Sequence, residues 1–220
     1  MTTILTFRFA NGRVIVADRA NTLTSSVATT NKLDVLSDKT VFCGAGSTAI
    51  IKDIKLEIAN NSHADLIDVI QKIIDKKREK IEVYRSATDS STVDIENTEF
   101  LIIDKNSLEG FKTIAFERNP IDQIDAIGSG SEALGLVQEE LGRIGGLSLE
   151  ENSYGEQLGI IRGKALWSLE MISRSDPHTG HPAVFGADMW IVFDGRIRKY
   201  RISFAYDVHL PENYTQTEVA

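Results

Sequence analysis

A threonine stands at position 2, directly behind the initiator methionine. Methionine aminopeptidases remove Met1 before a small residue, which would leave Thr2 as a chain start carrying a hydroxyl beside a free α-amine. An α-amine titrates at about 7.7–8.0, so part of it is uncharged near neutrality and can accept a proton. A hydroxyl is a weak nucleophile until a neighbouring base takes its proton, and here nucleophile and base would be one residue. Asp18, at the end of the run "VAD", and Lys32 are the charged partners such a chemistry needs. Taken singly, the first reads as a turn or salt-bridge acid and the second as a solvated surface charge. Together, a buried Lys32 ammonium held by Asp18 would favour the neutral form of a nearby amine and the anionic form of a nearby hydroxyl.

Other constellations compete. Gly44, Gly46 and Ala49 satisfy G-x-G-x-x-A between an apolar run and a helical pattern, the outline of a dinucleotide loop. The acid-tipped second strand of that site is missing, since the sequence is still helical at Asp65 and Asp68. The glycines keep a use of their own, because backbone N–H groups at a helix start can stabilise an oxyanion. "GSGSEALG", from Gly128 to Gly135, resembles a phosphate loop without its lysine. "SDPHTGHP" brings Asp176, His178 and His181 together, but two prolines bend the segment and three convergent ligands are not implied, so no metal is predicted. Cys43, the one cysteine, sits in "TVFCGAG" and reads as a buried structural thiol in a reducing compartment. His63 and His209 have no partner pattern.

The elements that position these groups follow from periodicity. Asn11-Gly12 separates "ILTFRF" from "RVIVAD", and Asp194-Gly195 separates "MWIVF" from "RIRKYRISF", so hairpins open and close the chain. Ile50, Ile54 and Ile58 share one helical face, and Leu66, Ile70 and Ile73 begin a second helix reaching about Val83. The polar stretch "RSATDSSTVDIENT" breaks the pattern, and "FLIID", "TIAFE" and "DAIGS" follow as strands. Leu134, Val137, Leu141 and Ile144 mark a third helix; Leu158, Ile161, Ala165, Leu169 and Ile172 mark a fourth, ended by Ser175-Asp176-Pro177. Strands, two helices, strands, two helices and strands suit an α+β fold, a four-layer αββα sandwich of two antiparallel sheets flanked by helices. One domain is expected over residues 1–205, with residues 206–220 as a C-terminal tail.

With 220 residues, 42% hydrophobic and 25% charged, the chain can bury one core. A net charge of −8 argues against neutralising a phosphate backbone, and the basic run Lys76, Lys77, Arg78 and Lys80 is interleaved with Asp75 and Glu79 as at a solvated helix end. No leader and no apolar run of membrane-spanning length is evident, so a cytoplasmic protein is predicted, with neither nucleic acid nor membrane as partner.

Four ordered stretches, "TTILTFRFANGRVIVADR", "NKLDVLSDKTVFCGAGSTA", "AIGSGSEALG" and "SDPHTGH", resemble successive signatures of proteasome β-type subunits and the bacterial HslV peptidase. That resemblance implies the sandwich of the N-terminal nucleophile hydrolases. It implies Thr2 as nucleophile, Asp18 and Lys32 as the pair that tunes it, and Gly46 as an oxyanion-hole donor. Ser129, Asp176 and Thr179 become the network around the terminal amine. Thr22 resembles a residue that binds substrate backbone, and Gly44 resembles the base of the pocket for the residue before the scissile bond, where glycine suggests an open pocket. The implied protein is a threonine endopeptidase needing no cofactor, acting on polypeptides inside a self-assembled homo-oligomeric ring fed by an ATP-dependent unfoldase. Two rivals share the scaffold: a noncatalytic ring subunit that keeps Met1, and a ligase or amidase that passes the acyl group to an amine.

Overall fold

The computed structural model describes residues 3–9, 12–21, 28–29, 32–35, 40–46, 51–52, 54–56, 72, 75–76, 79, 98–114, 117–143, 154–204 and 214–218. Strands β1 (Thr3–Phe9), β2 (Gly12–Asp18), β10 (Ile124–Gly128), β11 (Ala187–Phe193), β12 (Arg196–Phe204) and β13 (Tyr214–Glu218) form a six-stranded sheet in the order β10-β1-β2-β11-β12-β13. Strands β5 (Leu33–Val35), β6 (Thr40–Ala45), β7 (Glu99–Asp104), β8 (Gly110–Ile114) and β9 (Glu117–Pro120) form a second sheet in chain order. A two-stranded ribbon joins β3 (Ala20–Asn21) to β4 (Ala28–Thr29). Among the described residues all pairings are antiparallel. That topology removes the dinucleotide reading of Gly44 and Gly46, which needs a parallel βαβ unit.

Alternation along the strands sorts the core into two layers. Ile4, Ile15, Ala17, Ile127, Trp190 and Val192 face Val41, Cys43, Leu101 and Ile103 between the sheets. The other face of the six-stranded sheet presents Leu5, Phe7, Val14, Val16, Met189 and Ile191 to helices α1 (Leu134–Arg143) and α2 (Tyr154–Ser175). Of the predicted faces, Val137, Leu141, Leu158, Ile161, Ala165, Leu169 and Ile172 are buried there and Leu134 packs against them partly buried, while Ile144 lies outside the described residues. On the outer side of the second sheet lie helical residues 51–52 and 54–56, with Ile54 buried and Lys55 over the Phe42 ring. Layers therefore run helix, sheet, sheet, helix, as the order of patterns predicts. The remainder of the first two predicted helices, apart from helical Lys72, Asp75, Lys76 and Glu79, lies outside the described residues.

Boundaries differ in three places. Gly12 is already paired, opposite Phe9, and a Cβ there would stand 2.2 Å from the Phe9 ring; glycine serves close packing as well as turning. The run "TIAFE" is split between the end of β8 and the start of β9. Residues 214–218 of the predicted tail form an edge strand on β12. The Asp194-Gly195 hairpin is as read, with left-handed φ of 49° and 67° at the two turn residues.

Candidate active site

β2 ends in Asp18, and the ladder sets its surroundings: Ala187 of β11 stands opposite, while the start of β1 lies one strand away, with Ile4 opposite Ala17. The Asp18 carboxylate is fully buried and receives four donors. Oδ1 accepts from the Thr3 amide at 2.9 Å. Oδ2 accepts from Lys32 Nζ at 2.9 Å and from the amides of Ala20 and Gly180, each at 3.1 Å. Lys32, immediately before β5, is itself buried. Burial pushes its pKa down while the Asp18 charge and hydrogen bond pull it up, and burial prevails. The result is an ion pair whose ammonium holds its proton less firmly than a surface lysine.

A second network sits on the other side of Thr3. α2 stops at Ser175, and the chain turns through Asp176 to Gly180. Asp176 Oδ2 accepts from Ser129 Oγ and from Thr179 Oγ1, both at 2.6 Å, and Oδ1 from the His178 amide at 2.9 Å. Burial raises the Asp176 pKa, but those three donors and the nearby His178 outweigh it and hold the carboxyl below its usual range. Ser129 opens a short 3-10 helix (Ser129–Ala133) that follows Gly128, whose φ is 90°. Gly130 donates its N–H to Thr3 Oγ1 at 2.9 Å, and Thr3 Oγ1 lies 2.5 Å from Thr179 Oγ1. Asp18, Lys32, Ser129, Asp176 and Thr179 thus converge around the first described residue of β1. Thr2 and Thr22 lie outside the described residues.

The two glycines of the second sheet stand at the same end. Continuing the β5–β6 register from Leu33 opposite Cys43 brings Gly44 level with Lys32, and Gly46 follows β6 at φ 113°. The space over Gly44 is not open. A Cβ there would lie 2.8 Å from Ile51 Cγ1, so the side chain of Ile51 covers the glycine with an apolar surface.

Sequence reasoning missed Thr3 and Glu99. Thr3 shares the strand phase of Leu5, Phe7 and Phe9, which face the helices, so a hydroxyl there needs polar partners; that anomaly was readable. Glu99 shares the phase of Leu101 and Ile103 between the sheets. Its Oε2 accepts from Gly128 N at 2.6 Å and ties β7 to the end of β10, one residue before Ser129. Burial raises the Glu99 pKa against the lowering effect of the Gly128 amide and Lys112.

Two readings close. His181 Nδ1 accepts from Ala183 N at the start of α3 (Pro182–Phe185), and among the described residues no three His, Cys, Asp or Glu side chains group as metal ligands. Burial pushes the Cys43 thiol far up, away from any thiolate role. Among the described residues no helix is long and apolar enough to cross a membrane.

Two antiparallel sheets stacked between helical layers form the four-layer sandwich seen in the N-terminal nucleophile hydrolase fold. The crystal structure of eukaryotic HslV from Trypanosoma brucei is similar, with a TM-score of 0.58 and 19% identity, covering 87% of this chain and 99% of that one. At 19% identity the likeness is one of fold. No family model and no curated protein matches the chain.

Proposed function

We propose that the protein is a threonine endopeptidase of the proteasome and HslV type, with Thr2 as nucleophile once Met1 is removed. One observation carries the reading: the buried Lys32–Asp18 pair is hydrogen-bonded to the amide of Thr3, the residue that follows Thr2. Of the two adjacent threonines, Thr3 is fully buried and its hydroxyl is committed to Gly130 and Thr179, which leaves Thr2 for chemistry.

In this reading Thr2 Oγ adds to the scissile carbonyl carbon while its proton passes to the Thr2 amine. The neighbouring Lys32 ammonium favours alkoxide character at the hydroxyl and the neutral form of the amine. The C–N bond then breaks, the departing amine takes the proton, and an ester to Thr2 remains. Water adds to that ester with the amine again as base, releasing the acid and restoring the hydroxyl. Ser129, Thr179 and Asp176 orient the amine, and Gly46 N–H receives the oxyanion. Thr22 binds substrate backbone, and Ile51, lying over Gly44, gives the pocket for the residue before the scissile bond an apolar base. Self-association into a ring, an ATP-dependent unfoldase as partner and a cytoplasmic location belong to the same proposal.

Intact mass of protein from its native host tests the first requirement, with loss of one methionine expected. Hydrolysis of fluorogenic peptides, abolished in Thr2→Ala, tests the second. Full retention of Met1 together with peptidase activity that survives Thr2→Ala would overturn the mechanism. A competing amine that captured the acyl group in preference to water would redirect it to a ligase.

A further inference from the structure

We propose that Thr3 is a positioning residue that joins the Asp18–Lys32 pair to the Asp176 network and thereby fixes the chain start; this rests on the endopeptidase reading above. The hydrogen-bond directions follow from counting protons. Thr179 Oγ1 lies 2.6 Å from Asp176 Oδ2, and a carboxylate only accepts, so the single hydroxyl proton of Thr179 points to Asp176. At the 2.5 Å contact between the two threonines, Thr3 must then be the donor. Thr3 Oγ1 in turn accepts from Gly130 N at 2.9 Å. The chain is directed throughout, from Gly130 N–H to Thr3 to Thr179 to Asp176, and each link polarises the next.

The backbone of the same residue donates to Asp18 Oδ1 at 2.9 Å, and Thr3 stands opposite Gly128 in the β1–β10 ladder. Thr3 is therefore held from three sides within the first residue of the strand, with none of its surface exposed. The fit is tight: a Cβ on Gly130 would come within 2.4 Å of Thr3 Oγ1. Because Thr3 is covalently bonded to Thr2, these contacts fix the backbone to which the proposed nucleophile is attached. Among the described residues, the titratable groups about this junction are Asp176 with His178 on its own turn, Asp18 with Lys32 across Thr3 and Gly180, Asp188 acting on Lys32, and Glu99 bonded to the Gly128 amide opposite Thr3.

The test compares Thr3→Val, which keeps shape and removes donor and acceptor, with Thr3→Ser, which keeps both. Thr3→Val is expected to lower kcat about tenfold or more, the effect of losing one well-placed hydrogen bond, with KM nearly unchanged. The titration of the Asp176 carboxyl, followed by carbon NMR, is expected to move up toward its ordinary range in Thr3→Val, because Thr179 is no longer polarised toward it. Thr3→Ser restores both readouts. Should Thr3→Val fail to fold, Thr3→Cys keeps a weaker donor and is expected to fall below Thr3→Ser in kcat with its Asp176 titration displaced in the same direction. An unchanged Asp176 titration overturns the hydroxyl chain, and an unchanged kcat overturns the positioning role. The NMR readout does not depend on the reaction, whereas Thr2→Ala assayed in parallel tests the endopeptidase reading alone, so the two failures are distinguishable.

Discussion

Asp18 carries more of the site than any other side chain, and the cost of disturbing it follows from burial. Four donors meet its two oxygens. Asp18→Asn would leave Lys32 as a buried ammonium without its counter-charge, which typically costs about 3–5 kcal/mol. Asp18→Asn is thus expected to lower Tm sharply and to abolish peptidase activity, whereas Asp18→Asn combined with Lys32→Met recovers much of the stability and none of the activity. Chemical denaturation of the single and double variants beside kcat checks this; a double variant no more stable than the single one would refute the charge argument. Glu99 behaves in the opposite sense to a paired carboxylate. Its folded pKa lies above the ordinary value, so the folded state favours the protonated acid and stability falls as pH rises through the window from 4.5 upward. Glu99→Gln keeps an acceptor for Gly128 N and removes the charge, and is expected to raise Tm at pH 7 with little change at pH 4. Equal shifts at both pH values would show that the carboxylate is not penalised.

Elements differ in how far glycine can be replaced, and two turns make the contrast measurable. Gly195 sits at φ 67° in the hairpin between β11 and β12, where an added Cβ would meet only Asn106 Oδ1, at 3.1 Å. Gly195→Ala is expected to cost about 1–2 kcal/mol for the left-handed backbone and to leave kcat per folded molecule unchanged. Gly130 sits in the 3-10 helix, where a Cβ would stand 2.4 Å from both Thr3 Oγ1 and Ile172 Cγ2. Gly130→Ala is expected to part the helix from β1 and remove activity, and thermal melts beside peptide assays check both. What was legible in the sequence divides along the same line. The 3.6-residue period placed α1 and α2 and their buried faces, and turn chemistry placed the closing hairpin, because local pattern and tertiary burial agree there. The 3-10 turn after Gly128 has no periodic signal, since its conformation is set by Thr3 and Asp176 from distant segments. The resemblance brought Asp18, Lys32, Ser129, Asp176 and Thr179 together in one reading, but the register that passes their hydrogen bonds through Thr3 required the paired strands. That Ile51 itself covers Gly44 needed the structure, because it depends on how residues 51–52 and 54–56 lie against the second sheet.

At the scale of the whole molecule, the charged cluster lies at one end of the sandwich and the Asp194-Gly195 hairpin at the other, since β11 runs from Ala187 opposite Asp18 to Phe193 opposite Gly12. The helical layer over the six-stranded sheet is buried on its inner side and still exposes Leu136 at 51% and Ile160 at 38% on its outer side. Apolar side chains scattered singly on a surface are ordinary, so these two become informative only where association between copies covers them. The proposed self-assembly therefore predicts a native mass that is a multiple of the 24.3 kDa chain, measured by sedimentation or native mass spectrometry. Leu136→Lys combined with Ile160→Lys places two charges in that surface and is expected to shift the protein to smaller species with an unchanged monomer fold by circular dichroism. Small-peptide hydrolysis by those smaller species would show that the cluster at the end of β1 is complete within one chain. Its loss, with Tm preserved, would show that a neighbouring copy supports the site. A wild-type chain that sediments as a monomer at every concentration would remove the ring from the proposal while leaving the chemistry of Thr2 to be judged by its own variants.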